Sequence, residues 1–473
     1  MKYNIINKIK DYKTDLNKTF VLNSISTVLL QGISLFAIPL FSRLLGSTQY
    51  GLYAIFNSWV LIFCNVMSLS MYSSMVSGRF KFKDEYYSYR NSMLLYVALV
   101  AILVSLVCLA LYPVISKLVD YNIFVYILLL LTAFSLAIIN AIHAILIYEK
   151  KALLNLIVSV SLSAGNVILS IVLICTLNLK ELYIARVLGF LIPYFIFAVF
   201  FVFYFSISIK SLFSFKYFKF CVMYGLPLVG HTLAGVMLAQ ADRIMMNKLH
   251  VDTSYIGIYS LFFTFVSVLS VILYAFNNSF VPFYTEYIEN HDNNNLIIKS
   301  TNYIELFTIV SIGFVLLSRE VSYIFASNEY YDGIDLIPFF ALSIYLTFMY
   351  HFPVNYEFFY GKTKAISFCT ICANIINIVL NYFLIIKYGM FGAAIATLIS
   401  HIFQWVFHYC MANIMKENKY IMTFRYFAKP LFLFIISLFV FYRLKDYHII
   451  RWIIGIVIGL YEVAKIIKRR CIF

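Results

Sequence analysis

Residues 91–115 read NSMLLYVALVAILVSLVCLALYPVI and contain no charged side chain. About 20 predominantly apolar residues are enough for a helix to cross the hydrocarbon core of a bilayer. The apolar residues run continuously and do not alternate with polar ones, which favours a helix over a strand of a transmembrane barrel. The stretch therefore predicts a transmembrane helix.

The same pattern fills most of the chain. Of its 473 residues, 63% are hydrophobic and 12% are charged, whereas a soluble domain is about half apolar and a quarter charged. The composition therefore predicts an all-α polytopic membrane protein with about fourteen transmembrane helices. The predicted spans are 20–44, 50–77, 91–115, 121–147, 152–177, 181–208, 221–247, 255–283, 299–325, 334–360, 365–386, 390–414, 428–442 and 450–466.

The net charge of +15 is distributed as in a membrane protein rather than a nucleic-acid-binding one. Lys and Arg occupy short segments between the apolar runs. With the N-terminus placed inside, 25 of them lie at inner ends and 8 at outer ends. Because cytoplasmic loops carry the excess of Lys and Arg, both termini are predicted to be cytoplasmic. No predicted outer loop is long enough to fold alone.

The two halves of the chain also resemble each other in sequence, which indicates an internal repeat. SRLLGSTQYGLYAIF from Ser42 matches NKLHVDTSYIGIYSLFF from Asn247, with Thr48, Tyr50, Gly51 and Tyr53 against Thr253, Tyr255, Gly257 and Tyr259. A second similarity pairs YEKKALLN from Tyr148 with YGKTKAIS from Tyr360. Parallel repeats of this kind are a known transporter plan, with the substrate site between the halves. We therefore expect two pseudo-symmetric six-helix lobes around a central cavity.

The predicted organisation has five parts. An N-terminal cytoplasmic segment rich in Lys is expected to lie on the membrane surface, followed by two lobes, their linker and an additional helix pair. These parts comprise 1–19, the N-terminal lobe 20–209, the cytoplasmic linker 210–220, the C-terminal lobe 221–415 and the helix pair 428–468.

Motifs for soluble chemistry are missing from the sequence. It has no Walker loop, H-E-x-x-H, G-x-S-x-G or dinucleotide fingerprint. Cys369 and Cys372 form a C-x-x-C, but a redox or metal site needs a second pair or His and carboxylate ligands within reach. We therefore predict no metal, no cofactor and no catalytic residue, and interpret the cysteines as small helix residues.

Ionisable residues within the spans are the candidates for function, because each is costly in lipid and needs a cavity or a partner. Asp242 and Arg243 lie in a polar seventh span together with His231 and Gln240. Adjacent helix residues point about 100° apart, so each of the two needs its own partner. A wet cavity explains such residues, and so does hydrogen bonding between helices.

The quoted stretches carry a resemblance to a known family. LPLVGHTLAGVMLAQADRIMMNKL from Leu226, IGIYSLFFTF from Ile256, AFNNSFVPFY from Ala275 and IPLFSRLLGSTQYGLYAIFNSW from Ile38 resemble the Wzx polysaccharide-unit flippases. This family shares a superfamily with the multidrug and toxin extruders and the lipid II flippases. The resemblance implies two six-helix lobes, alternating access and an undecaprenyl-diphosphate-linked sugar unit, such as an O-antigen or capsule repeat unit, moved from the cytoplasmic to the periplasmic leaflet.

The cargo sets the chemistry of the expected cavity. A diphosphate calls for Arg or Lys, sugar hydroxyls for polar side chains, and the prenyl tail for an opening to lipid. The predicted cavity residues are Arg43, Asp242, Arg243, Gln31, Gln240, His231, Asn277 and Asn278. Secondary candidates, for which pairing within the protein or an interfacial position is the alternative, are Arg186, Arg319, Glu320, Tyr53 and Tyr259.

The leading hypothesis is therefore a flippase in a bacterial plasma membrane, with lipid and polysaccharide polymerase machinery as partners and no nucleic acid. Asp242 either balances an Arg charge or couples transport to a cation, with an ion or proton gradient as the driving force. Two alternatives remain open, a cation-coupled extruder of small molecules and an integral-membrane polysaccharide polymerase or ligase. The extruder would favour acidic residues in the cavity, and the enzyme would require a large outer loop.

Overall fold

A computed structural model describes residues 37–177, 179–207, 214–415 and 420–468. Every regular element in these ranges is helical, which confirms the predicted all-α class. Within the described residues, ten helical stretches are long and apolar enough to cross a membrane, and two of them, Thr253–Glu289 and Asn328–Phe359, each join two consecutive elements. The helices are α1 (Ala37–Ser68), α2 (Met75–Lys81), α3 (Tyr86–Ala110), α4 (Tyr112–Val119), α5 (Ile123–Tyr148), α6 (Ala152–Thr176), α7 (Leu182–Ser206), α8 (Phe215–Lys248), α9 (Thr253–Val266), α10 (Val268–Glu289), α11 (Asn293–Phe325), α12 (Ile337–Phe359), α13 (Thr363–Ile414), α14 (Phe424–Arg443) and α15 (His448–Lys468).

Two of these helices each include parts of two predicted spans. In α13 the backbone leaves helical geometry at Gly389, with φ 54° and ψ −130°, between the predicted spans 365–386 and 390–414. In α1 Gly46 has φ 69°, between the predicted spans 20–44 and 50–77. Because L side chains rarely adopt positive φ, glycine is suited to both breaks. The part of the first span before Ala37 lies outside the described residues.

Other element boundaries differ from the predicted ones. The span predicted at 91–115 ends early, because α3 stops at Ala110 and Pro113 then stands in the first turn of α4, where the missing N–H of proline costs nothing. The span predicted at 255–283 is divided between α9 and α10 at Ser267. Short 3₁₀ segments precede α2 and α12, at Met71–Ser74 and Asn328–Leu336.

Proline lies inside several of the long helices. Membrane helices tolerate this because neighbouring side chains and local adjustments satisfy the freed backbone groups. The interior prolines are Pro193, Pro227, Pro282, Pro353 and Pro430.

The chain divides by packing into two units, and each spans two segments. The first contains Leu52–Gln240, and the second contains Ile38–Gly51 with Ala241–Phe473. This division cuts through both α1 and α8. It is a division by contacts, whereas the predicted lobes 20–209 and 221–415 were defined by counting spans, so those lobes stay a prediction.

The first unit is held by an apolar core in which α3, α5 and α7 pack together. Tyr89, Met93 and Ile142 are completely buried within it. At one end of this unit Arg90 forms an ion pair with Glu149 at 2.7 Å. Glu85, five residues before Arg90, has an exposed carboxylate that accepts hydrogen bonds from Lys216 and Tyr217. These hydrogen bonds lower the pKa of Glu85.

The second unit is built on the packing of α12 against α13, with α14 and α15 against α11. Its first complete helix, α9, starts at a well-formed cap, in which the Asp252 carboxylate accepts from the Ser254 N–H at 2.8 Å. That hydrogen bond lowers the pKa of Asp252, as expected for a carboxylate at a helix N-terminus. This cap fixes the residue at which α9 begins. It therefore also fixes the positions on α9 of Tyr259 and Ser260, which face α8.

Candidate functional site

Asp242 and Arg243 lie near the C-terminal end of α8 and are both buried, with 1% and 5% exposure. Neither is the kind of residue that a protein buries without partners. Their side chains take different partners, as the 100° step between neighbouring helix residues requires. Both sets of partners lie in the second unit.

The Asp242 carboxylate accepts three hydrogen bonds from neutral donors. Its Oδ1 accepts from Asn381 Nδ2 at 2.7 Å. Its Oδ2 accepts from Tyr259 OH at 2.5 Å and from Thr397 Oγ1 at 2.7 Å. These short distances are typical of charge-assisted hydrogen bonds to a carboxylate. The three donors satisfy both carboxylate oxygens inside an apolar helix bundle.

The break at Gly389 brings two of these partners together. In a continuous helix, twenty residues of rise would separate the two parts of α13 by about 30 Å, yet Asn377 Nδ2 lies 3.4 Å from Thr397 Oγ1. The chain therefore doubles back at Gly389. Asn381 also donates to Asn377 Oδ1 at 3.0 Å, so one asparagine pair and Thr397 line the same side of Asp242.

One oxygen of this cluster is unsatisfied among the described residues. Asn381 Oδ1 is buried and has no hydrogen-bond partner. Buried polar atoms are nearly always paired, and an exception calls for an explanation. A carboxylate, an unpaired amide oxygen and hydroxyl oxygens together form the donor set that hard cations prefer.

Arg243 contacts three side chains of α9. Its Nε donates to Ser260 Oγ at 3.0 Å, and its guanidinium lies 4.6 Å from the ring centre of Phe263 and 5.6 Å from that of Tyr259. Aromatic faces stabilise a cation that has left water. Tyr259, a secondary candidate from the sequence, therefore contacts both members of the charged pair.

Other predicted cavity residues on α8 and α10 do not join this cluster. Gln240 belongs to the first unit, where its Oε1 accepts from Ser58 Oγ at 2.9 Å. His231 and Asn278 have exposed side chains. Asn277 accepts from Asn355 Nδ2 at 3.0 Å. Gln31 lies outside the described residues.

The remaining arginines each have partners elsewhere. Arg43 is exposed and donates to the Ile324 carbonyl at 3.1 Å. Arg186 in the first unit is buried, hydrogen-bonds Asn166 and Ser170, and lies 5.0 Å from the ring centre of Tyr53.

Two secondary candidates form ion pairs near the end of α11. Arg319 lies 3.5 Å from Asp335, and Glu320 pairs with the buried Arg451. These contacts agree with the alternative of pairing within the protein, and whether any of the candidates contacts cargo stays a prediction.

Sequence reasoning missed Asn377, Asn381 and Thr397. A signal was present, since two asparagines one helical turn apart in the apolar run 365–386 place two amides on one face. What the sequence did not reveal was that this face turns toward Asp242. Cys369 and Cys372 lie one turn apart on the same helix as free thiols.

Comparison with known proteins identifies the family. The sequence profile described as "Polysaccharide biosynthesis protein" matches residues 16–288, more than half of the chain. The chain belongs to this family.

Two curated relatives from Haemophilus influenzae are consistent with it. The Lsg locus protein 1 is 25% identical over 198 residues, 39% of this chain and 48% of the relative. An uncharacterised membrane protein is 27% identical over 164 residues, 34% of this chain and 39% of the relative. The chain thus matches about half the length of these relatives, or less.

Solved structures share the fold of this family member. A lipid II flippase, MurJ, in an inward closed conformation superimposes with a TM-score of 0.72 and 20% identity, covering 95% of this chain and 99% of its own. An inward-facing multidrug resistance MATE transporter of the MOP superfamily gives 0.64 and 12%, covering 84% of this chain and 100% of its own. The protein is therefore a multi-pass helical membrane protein with the fold of these two structures.

Proposed function

We propose that this chain is a flippase that moves a polyprenyl-diphosphate-linked oligosaccharide from the cytoplasmic to the outer leaflet by alternating access. The observation that carries the proposal is the buried Asp242–Arg243 pair, inside apolar helices of a member of the polysaccharide biosynthesis family. Charged residues at such positions are costly and mark a pathway for a polar cargo. The names of the flippase and transporter neighbours support the same class of activity.

The arginine charges indicate which part of the cargo the protein binds. A lipid-linked sugar carries a diphosphate whatever its sugar sequence, and a guanidinium binds phosphate oxygens in a fork that Lys lacks. Arg243 is the arginine that we assign to this role, with Arg43 as a second cation. Undecaprenyl diphosphate is the carrier we propose, in a bacterial plasma membrane with both termini cytoplasmic and polymerase machinery nearby.

Asp242 is proposed as the coupling site. Its carboxylate and the oxygens of Asn381 and Thr397 suit a monovalent cation, or a proton on the carboxylate itself. An ion gradient then supplies the driving force. This carboxylate is also the feature that favours the second candidate, a cation-coupled extruder of small molecules, since such a transporter would use an acidic residue on its pathway.

The proposal is tested in a strain that lacks the gene and depends on it for surface polysaccharide. Loss of the chain is expected to leave lipid-linked sugar on the inner leaflet, and the wild-type gene is expected to clear it. Arg243→Ala should abolish most of the clearance at normal protein abundance. Arg243→Lys should restore part of it if charge alone suffices, and little if the fork is required.

Cys372→Ala is the matched control, because it lies within a membrane helix and we assign it no contact with cargo. It should clear the lipid-linked sugar like the wild type. Unimpaired clearance by Arg243→Ala at normal abundance would remove Arg243 from the mechanism. A fall in abundance together with clearance would instead identify Arg243 as a residue that holds α8 against α9. Export of organic cations with no change in lipid-linked sugar would favour the extruder.

A further inference from the structure

The segment Ile38–Gly51, which we call the docking segment, packs with the second unit although the chain that follows it, from Leu52, belongs to the first. It contacts two places in the second unit, the start of α9 and the stretch that follows α11. By the distribution of Lys and Arg, this segment lies at the outer end of the predicted spans. Its contacts therefore bear on the side from which a cargo would leave.

The first contact is a backbone crossing of two glycines. A Cβ built on Gly51 would lie 2.1 Å from the Thr253 carbonyl oxygen, and one built on Gly257 would lie 2.0 Å from the Ser47 carbonyl oxygen. Gly51 thus approaches the carbonyl of the residue four positions before Gly257, and Gly257 approaches the carbonyl of the residue four positions before Gly51. The two strongest copies of the sequence repeat therefore pack against each other with pseudo-two-fold symmetry, and their backbones approach closely at the two glycines.

The second contact uses hydrogen bonds at helix ends. The Glu329 carboxylate accepts from the Ser47 backbone N–H at 3.0 Å and from Ser47 Oγ at 2.8 Å. Ser47 follows the break at Gly46, so Glu329 satisfies an N–H that starts a helix. The docking segment also donates two hydrogen bonds to carbonyls at the end of α11. Ser42 Oγ donates to the Phe325 carbonyl at 3.3 Å, and Arg43 donates to the Ile324 carbonyl at 3.1 Å.

We propose that Glu329 is a positioning residue for translocation, which holds the docking segment closed at the outer end and must release it before cargo leaves. The inference rests on the proposed function. The glycine crossing is a close backbone contact, and Ile38, Phe41 and Leu45 of the docking segment are also buried. The charge-assisted hydrogen bonds of Glu329 then supply the specific part of the closed state. Glu329 does not contact cargo in this scheme.

The test measures opening directly. Ser42 belongs to the docking segment and is completely buried, so Ser42→Cys, in a chain whose native cysteines are replaced, reports undocking to a membrane-impermeant maleimide added outside. Glu329→Ala should raise the labelling rate at least about tenfold, the factor expected from loss of one charge-assisted hydrogen bond. Glu329→Gln, which keeps an acceptor but loses the charge, should give a smaller increase.

Matched controls lie close by. Asp332 is an exposed carboxylate in the same 3₁₀ segment as Glu329, and Asp332→Ala should leave labelling unchanged. Gly257→Ala should open the crossing by a different route, whereas Gly313→Ala, where a Cβ meets nothing within 4 Å, should not. The melting temperature of each variant separates undocking from unfolding.

Unchanged labelling in both Glu329→Ala and Gly257→Ala would overturn the inference. An increase that equals the one in Asp332→Ala would do so as well. Labelling needs no cargo, so these outcomes are independent of the proposed function. If lipid-linked sugar is not transported and the labelling pattern is as expected, the flippase proposal fails while the role of Glu329 in closing the outer end stands.

Discussion

At Asp242 a carboxylate is enclosed by Tyr259, Asn381 and Thr397, and these donors are all neutral. Hydrogen bonds to a charged group contribute about 1.5–3 kcal/mol each, so the cluster tolerates a negative charge that a cation would neutralise. We predict that Na⁺ or K⁺ raises the melting temperature of the purified protein by a few degrees relative to choline, since a ligand that binds only the folded state stabilises it. Asp242→Asn should abolish that increase.

The companion variants at this site distinguish a metal cation from a proton. Asn381→Ala removes the unpaired amide oxygen and should weaken the response to Na⁺ or K⁺. Asn374→Ala is the control, because Asn374 is buried on the same helix and its Oδ1 is likewise unpaired among the described residues, but its Nδ2 donates to the Thr370 carbonyl at 2.9 Å and not to Asp242. An equal melting temperature in all three salts, with transport that follows the pH gradient, would assign the site to a proton. No response of the wild type to either would contradict the coupling role of Asp242.

The residues of this site were predictable from the sequence to different degrees. Asp242 and Arg243 were found because a charge in an apolar run is costly wherever the helix faces. Asn377, Asn381 and Thr397 are ordinary polar residues of membrane helices, and their importance depends on which neighbour they meet. Glu329 was missed for a similar reason, since its partner Ser47 is distant in sequence and joined to it only by the fold.

At the scale of elements, the predicted spans locate the long helices well because length and hydropathy are local properties. The breaks at Pro113 and Ser267 were missed, since an apolar run shows no change of composition where a helix is interrupted. The doubling back of α13 at Gly389 could be placed because the apolar runs 365–386 and 390–414 leave only a short turn between them. That turn sets the position of Thr397 against Asp242.

The close packing of the two parts of α13 leads to a prediction about stability. A Cβ built on Gly392 would lie 2.0 Å from the Leu384 carbonyl oxygen, so Gly392→Ala must displace backbone, and overpacking of this kind costs about 1–3 kcal/mol. We expect a lower melting temperature and lower membrane abundance. Gly459→Ala is the control, because a Cβ there meets nothing within 4 Å. A melting temperature of Gly392→Ala equal to that of the wild type would contradict the close approach.

At the scale of the whole molecule, the orientation in the membrane determines which end is the outer one, and therefore the direction of transport. The 25 inner against 8 outer Lys and Arg predict that Lys151 and Lys364 face the cytoplasm, whereas Lys117, Lys180 and Lys445 face outward. All five side chains are exposed, so single cysteines placed there should react with maleimide wherever water reaches them. In intact cells an impermeant maleimide should label the outer three alone, and permeabilised cells should show labelling at all five. Labelling of Lys151→Cys in intact cells would invert the topology. The docking segment would then close the cytoplasmic end, and Glu329 would control entry of cargo rather than its release.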